Sequence, residues 1–291
     1  MGEQDTLRRF IFDELGIRGE LVRLGASWQA VLERHAYPDA VREQLGQALA
    51  AVVLLSATVK FDGALILQVQ GEGPLHTLVA QATHRRTLRG LALWREGQPP
   101  AGTCLEEIYG AARLVLTLQN EGAEPYQGIV GLEGRNLAEA VEHYFTRSEQ
   151  LPTRLWLAAD GEYAAGLFLQ ALPGAHVDDE GWARVCLLAG TVREKELLLL
   201  SGEQLLYRLF NEEAVRLFDP EPVSFRCSCS RERIAAVLRS MGPEELEAGL
   251  KQEDGLEVGC EFCNRHYRFD AVDMQALLAA ATLHAVPRTR H

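Results

Sequence analysis

Apolar and polar residues alternate with a period of two in some stretches of this chain and recur every three or four residues in others. Alternation predicts strands over residues 10–15 and 20–24. Helical spacing follows over 28–35 and 40–59, with Pro38 ahead of the second helix. Strands are predicted over 64–70, 75–82 and 87–94, the first two separated by the turn Gly71-Glu-Gly73-Pro74, and again over 113–119 and 126–132. Asn136-Leu-Ala-Glu139 has the form of a capping box and opens a helix reaching about residue 147. Residues 155–159 and 164–172 predict two more strands, with Asp160-Gly161 as the hairpin turn between them.

Past Pro173-Gly174 the pattern becomes helical. Asp178-Asp179-Glu180 places acids at a helix start, where the helix dipole favours them. Residues 182–190 are amphipathic, and Leu197-Leu-Leu-Leu200 follows a run of charged residues. Ser201-Gly-Glu-Gln204 is a second capping box. Residues 215–218 and 223–226 flank Asp219-Pro-Glu-Pro222 and predict a hairpin. The remainder predicts helices over 231–239, from Pro243 and over 271–283. The fold class expected is α+β: an N-terminal mixed domain over 1–175, a helical linker over 176–226, and a small four-cysteine zinc-binding domain over 227–291.

Composition narrows the function. The formal charge of -12 opposes general binding to nucleic acid, and residues 227–291 are themselves net acidic. The same balance disfavours anionic membranes, and the most apolar stretch, 48–59, is too short to span a bilayer. The first residues lack the form of a secretory signal, so a cytoplasmic location is expected. There is no Walker loop and no G-x-S-x-G, and His76, His84 and His143 are scattered, so no enzyme activity is expected.

The cysteines carry the chemistry. Cys227 and Cys229 form a C-x-C, and Cys260 and Cys263 a C-x-x-C. Four thiolates in two such jaws close a tetrahedral zinc site with no open position for a substrate water, one Zn2+ per chain. The same thiols can instead leave the metal by forming short-range disulfides, so the sequence offers a reduced metal-bound state and an oxidised metal-free one. Arg226, Arg265 and His266 are candidates to offset the negative charge of the centre; His266 is an alternative ligand only if the thiols do not complete the set. Cys104 and Cys186 stand alone, and Cys186 reads as a small buried hydrophobe. Two other functions use such cysteines: a zinc-knuckle module that binds nucleic acid, which the acidic balance opposes, and a thiol–disulfide oxidoreductase, whose reactive cysteine belongs at a helix N-terminus.

Several separated motifs resemble one family. Phe225-Arg-Cys-Ser-Cys-Ser-Arg-Glu-Arg233 and Cys260-Glu-Phe-Cys-Asn-Arg-His-Tyr267, followed by Phe269-Asp270, are similar to the zinc centre of the redox-regulated heat-shock protein 33 (HslO) chaperones. Leu55-Ser-Ala-Thr-Val-Lys-Phe-Asp-Gly63, Pro125-Tyr-Gln-Gly128 and Tyr144-Phe-Thr-Arg-Ser-Glu-Gln-Leu-Pro-Thr-Arg154 resemble its other signatures, in the same order. The resemblance implies a holdase, inactive when reduced and zinc-bound, that protects unfolding client proteins. Oxidation would release zinc and form the disulfides Cys227–Cys229 and Cys260–Cys263, and the active form would be a homodimer. Trp182, Leu187, Leu188, Leu197, Leu198, Leu199 and Leu200 are the expected client-binding residues.

Overall fold

The computed structural model describes residues 5–172, 179–241 and 256–285. The chain divides into two compact units, Met1–Arg226 and Cys227–His291. The helix expected from Pro243 and the expected boundary at 175/176 lie outside the described residues.

The first unit holds two sheets. One has the order β10-β1-β2-β9-β8, with β11 also beside β1. Its long strands are β1 (Thr6–Phe12), β2 (Ile17–Leu24), β8 (Thr153–Ala159) and β9 (Ala164–Ala171), all antiparallel. The other has the order β12-β5-β4-β3-β6-β7, built on β3 (Gly63–Gly71), β4 (Leu75–Thr83), β5 (Thr87–Trp94), β6 (Ala112–Asn120) and β7 (Tyr126–Gly131).

Helix α2 (Asp39–Thr58) packs on both sheets. A surface helix buries one stripe, but here every residue from Gln44 to Ser56 is buried, because a sheet lies against each side. Its buried polar groups are satisfied locally: Gln44 accepts from the Tyr109 hydroxyl at 3.3 Å, and Ser56 Oγ donates to Val53 O at 2.7 Å. Gly46 lets the helix approach the β8–β9 pair, since a Cβ there would lie 2.5 Å from that of Ala159. The core around α2 includes Trp28, Leu45, Leu49, Leu67, Leu78 and Phe168.

The opposite face of the first sheet is covered by α5 (Asp179–Ala189), α6 (Glu194–Leu199) and α7 (Gly202–Phe210). Phe10, Phe12, Ile17, Leu21, Leu167 and Leu169 pack there against Val185, Leu197, Leu205, Leu209 and Phe210. With both faces covered, β9 is buried along its whole length. Gly19 lets the Phe10 ring cross β2, where a Cβ would sit 2.1 Å from the ring.

Residues 215–226 do not form the expected hairpin. β10 (Arg216–Leu217) and β11 (Glu221–Pro222) both pair with β1, while β12 (Ser224–Phe225) runs parallel to β5. Glu221 is held by ion pairs to Arg9 and Arg86, each at 2.7 Å. These long-range partners outcompete the local pairing. The β8–β9 hairpin forms as expected, its four-residue connection starting at Asp160-Gly161 with the Asp160 carboxylate accepting from the amides of Glu162 and Tyr163. Among the described residues no helix is long and apolar enough to cross a membrane.

The second unit contains α8 (Arg231–Met241), the antiparallel strands β13 (Leu256–Gly259) and β14 (His266–Phe269), and α9 (Ala271–Ala285). Its buried core is Leu238, Phe269, Met274 and Leu277, and Arg231 stacks over the Phe269 ring at 4.4 Å.

Candidate metal centre

The register of β13 and β14 pairs Gly259 with His266, so residues 260–265 form the loop of the hairpin. Cys260 N donates to Arg265 O at 2.9 Å and closes that loop. Inside it, Cys263 N and Asn264 N both donate to Cys260 O, at 3.2 and 2.7 Å. The tight reversal requires a left-handed residue, and Asn264 takes it with φ of 53°. The two C-x-x-C side chains therefore sit together as one jaw.

The other jaw precedes α8. Arg233 N donates to Ser230 Oγ at 3.3 Å, and the Arg233 guanidinium donates to Ser228 O at 2.9 Å. Helix start and loop are thereby tied together, with Cys227 and Cys229 on either side of the clasped carbonyl.

The jaws meet. Cys227 Sγ lies 3.7 Å from Cys260 Sγ, and Cys229 Sγ lies 3.3 Å from Cys263 Sγ. All four sulfurs fall within 4.8 Å of one another. A tetrahedral zinc site with Zn–S bonds of about 2.3 Å requires sulfur separations of about 3.8 Å. The four thiols fit that ion in number, chemistry and spacing.

Burial and hydrogen bonding shift three of the thiols in different directions. Burial pushes Cys229 up, but hydrogen bonds from Tyr267 and the other three cysteines outweigh it and bring it down to about 7. Burial pushes Cys263 up to about 12, reinforced by its contacts with Cys229, Cys227 and Cys260. Cys260 is also raised, again chiefly by burial. Four thiols sharing so small a space cannot all ionise without a cation, and a bound divalent ion would supply the missing charge.

Of the three groups expected to offset charge, Arg265 lies close enough to feel Cys229 and Cys263. His266 points elsewhere, with Nδ1 on the Glu257 carboxylate at 2.8 Å. Arg226 belongs to the first unit, where its amide donates to Leu88 O at 3.0 Å. Sequence reasoning missed Tyr267, whose hydroxyl donates to Cys229 Sγ at 3.1 Å. The strand-like run after Cys263 was the available clue, but the strand register decides which side chain reaches the sulfur.

Cys186 is half-buried on α5, with its thiol pushed up to about 11 by burial. Cys104 lies immediately before the short helix α3 (Leu105–Tyr109). The apolar candidates of the helical segment divide by face. Leu197 and Leu198 are buried against the first sheet, and Trp182, Leu188 and Leu200 are partly buried on the same cluster. Leu187 and Leu199 face outward, at 74% and 58% exposure.

Comparison with known proteins gives a consistent set of relatives. A family model described as Hsp33 protein matches residues 5–270. The 33 kDa chaperonin of Nitrosococcus oceani is 61% identical over 291 residues, covering both chains completely. That of Shewanella sp. (strain ANA-3) is 45% identical over 279 residues, covering 96% of this chain and 97% of the other. Among solved structures, the 33 kDa chaperonin (heat shock protein 33 homolog) of Thermotoga maritima superposes with a TM-score of 0.81. It covers 96% of this chain and 99% of its own at 23% identity, a likeness of fold.

Proposed function

The chain belongs to the Hsp33 family, and from that premise we propose that it is a molecular chaperone, a holdase switched by the redox state of Cys227, Cys229, Cys260 and Cys263. The observation that carries the switch is the convergence of those four sulfurs to within 4.8 Å. Zinc, when bound, keeps all four as thiolates and ties the two jaws into one unit. That reduced state is the inactive one.

The chemistry of activation lies in the chain's own sulfurs. One thiolate attacks a peroxide oxygen, the O–O bond breaks, and hydroxide leaves a sulfenic acid. The second thiolate of the same jaw then displaces the remaining hydroxide and forms the S–S bond. Two electrons pass from sulfur to peroxide for each disulfide. The products are Cys227–Cys229 and Cys260–Cys263, and each removes two ligands at once. The small unit then loses its staple.

Clients are unfolding proteins, and the apolar faces of α5 and α6 are the surface offered to them. Leu187 and Leu199 already face outward, while Trp182, Leu188, Leu197, Leu198 and Leu200 become available when the helical layer loosens. The active form is a homodimer working in the cytoplasm, and no catalytic turnover is involved. The position of the C-x-x-C in a hairpin loop, away from a helix N-terminus, weighs against a thiol–disulfide oxidoreductase.

The test couples two readings on the full chain. Zinc content and suppression of aggregation of an unfolding client are followed together during peroxide treatment at elevated temperature. One zinc per chain, released as suppression appears, is expected. Zinc retained under oxidant without suppression would reduce the cysteine cluster to a structural staple.

A further inference from the structure

The two jaws of the cysteine cluster receive their hydrogen bonds from different kinds of donor. On the C-x-x-C side the donors are backbone amides: Phe262 and Cys263 face Cys260, and Arg265 faces Cys263. On the C-x-C side a side chain contributes, the Tyr267 hydroxyl at 3.1 Å from Cys229 Sγ. We infer that Tyr267 is a positioning residue for the thiol chemistry, whose hydroxyl occupies a lone pair of Cys229 and holds down its reactivity toward electrophiles and oxidants. This rests on the reading of the four thiols as the working site.

The geometry fixes that hydroxyl in place. Tyr267 lies on β14 opposite Val258 of β13, so its backbone is set by the hairpin register. Its ring is partly buried against the small core of Leu238, Phe269, Met274 and Leu277. The Arg265 guanidinium approaches the same oxygen, polarising the O–H that points at sulfur. A sulfur lone pair engaged by such a donor is less available to an incoming electrophile, and outer-sphere donors of this kind tune metal thiolates generally. The amide donors of the other jaw belong to the backbone, whereas this one is a single side-chain oxygen atom.

The experiment is residue-resolved alkylation of the reduced, zinc-loaded full chain, in which Cys229 would be a thiolate with or without the hydroxyl, using N-ethylmaleimide and mass spectrometry on the wild type and Tyr267→Phe. The phenylalanine keeps the ring in its packing site and removes only the hydroxyl. Loss of an outer-sphere partner changes site properties by roughly 10–100-fold, and one donor belongs at the lower end. Cys229 should therefore react about tenfold faster in the variant, with Cys227, Cys260 and Cys263 within about twofold of wild type. An unchanged Cys229 rate overturns the inference, and so does a parallel rise at all four cysteines, which would mark Tyr267 as packing alone. If Tyr267→Phe does not fold, Arg265→Gln carries the test: a smaller rise confined to Cys229 supports the inference, and none overturns it. Zinc release by peroxide and client protection are read separately on the wild type. Their failure removes the switch while leaving the Cys229 comparison decisive.

Discussion

A buried carboxyl group either finds partners for its charge or keeps its proton, and Glu20 keeps its proton longer than an ordinary glutamate. It sits on β2 at 2% exposure, and its Oε2 is buried without a hydrogen-bond partner. Burial raises its pKa from 4.5 to about 7, against the pull of Arg18, Arg9 and Arg86. The folded state therefore binds this proton more tightly than the unfolded state does. The resulting contribution to stability is fully present below pH 4.5, falls as pH rises through about 7, and is flat above that. At 1.36 kcal/mol per unit the loss across that window is roughly 3 kcal/mol. Glu20→Gln should flatten the fall and make the first unit more stable than wild type at pH 8 by about that amount. Denaturant unfolding followed by tryptophan fluorescence reads this cleanly, because Trp28, Trp94, Trp156 and Trp182 all lie in the first unit. Parallel pH profiles for the two proteins would reject the assignment. The sequence does not reveal such a residue. Glu20 begins the strand expected over 20–24, and an acid at a strand start reads as solvated until β9 and β1 are seen to flank it. The four cysteines were legible because their chemistry depends on spacing along the chain. Tyr267 was not, because its role depends on register.

The helical layer over the first sheet shows what periodicity carries and where it stops. In α7, Leu205, Leu206, Leu209 and Phe210 are buried while Tyr207 is 75% exposed, the pattern of an amphipathic helix docked along one stripe. The Ser201–Gln204 capping box foreseen at its start is present in both directions, at 3.1 and 3.3 Å. At Asn136 only half of the expected box forms. Asn136 accepts from Glu139 N, but the Glu139 carboxylate turns to the Arg135 amide and guanidinium, a charged partner that outbids the neutral cap. The expected segments 215–218 and 223–226 do contain β10 and β12, but β11 and the pairing with β1 and β5 had no legible signal, since each strand is two residues long and its partner is distant in sequence. The buried and exposed faces of the layer make a testable contrast. Leu209→Ala should cost about 2–5 kcal/mol by leaving a cavity beneath α7, whereas Leu199→Ala, at an outward position, should stay within about 0.5 kcal/mol. The midpoint of the fluorescence-detected transition measures both. Leu209→Ala should also bind more hydrophobic dye than wild type while reduced, because a loosened α7 uncovers Phe10 and Phe12. Equal midpoints for the two variants would mean that the layer is not held by this face.

The two units differ in how they reach stability, and removal of the metal should separate them. The first has continuous cores on both faces of its β1–β2–β9 sheet. The second clusters Leu238, Phe269, Met274 and Leu277 as its buried apolar side chains among the described residues, with Cys260 of the metal centre also buried, and a piece of roughly 65 residues is marginal on apolar burial alone. A structural zinc site contributes roughly 10–16 kcal/mol of apparent binding free energy at neutral pH. A whole domain is stable by only about 5–15 kcal/mol, so a zinc bound at the cluster would supply most of what keeps the second unit folded. Chelation of the reduced chain should therefore unfold the small unit outright, with no oxidant present. Amide hydrogen exchange would show β13 and β14 losing protection together, along with α8, whose start is clasped to the C-x-C jaw through Ser228 and Ser230. Protection in β3, β4 and β6 should be unchanged, because those strands close a ladder that needs nothing from the cysteines. Cys263→Ser, which deletes one ligand, should reproduce the pattern under reducing conditions. Retained protection in β13 and β14 after chelation would mean that the hairpin stands without its metal, and oxidation would then need another route to the first unit.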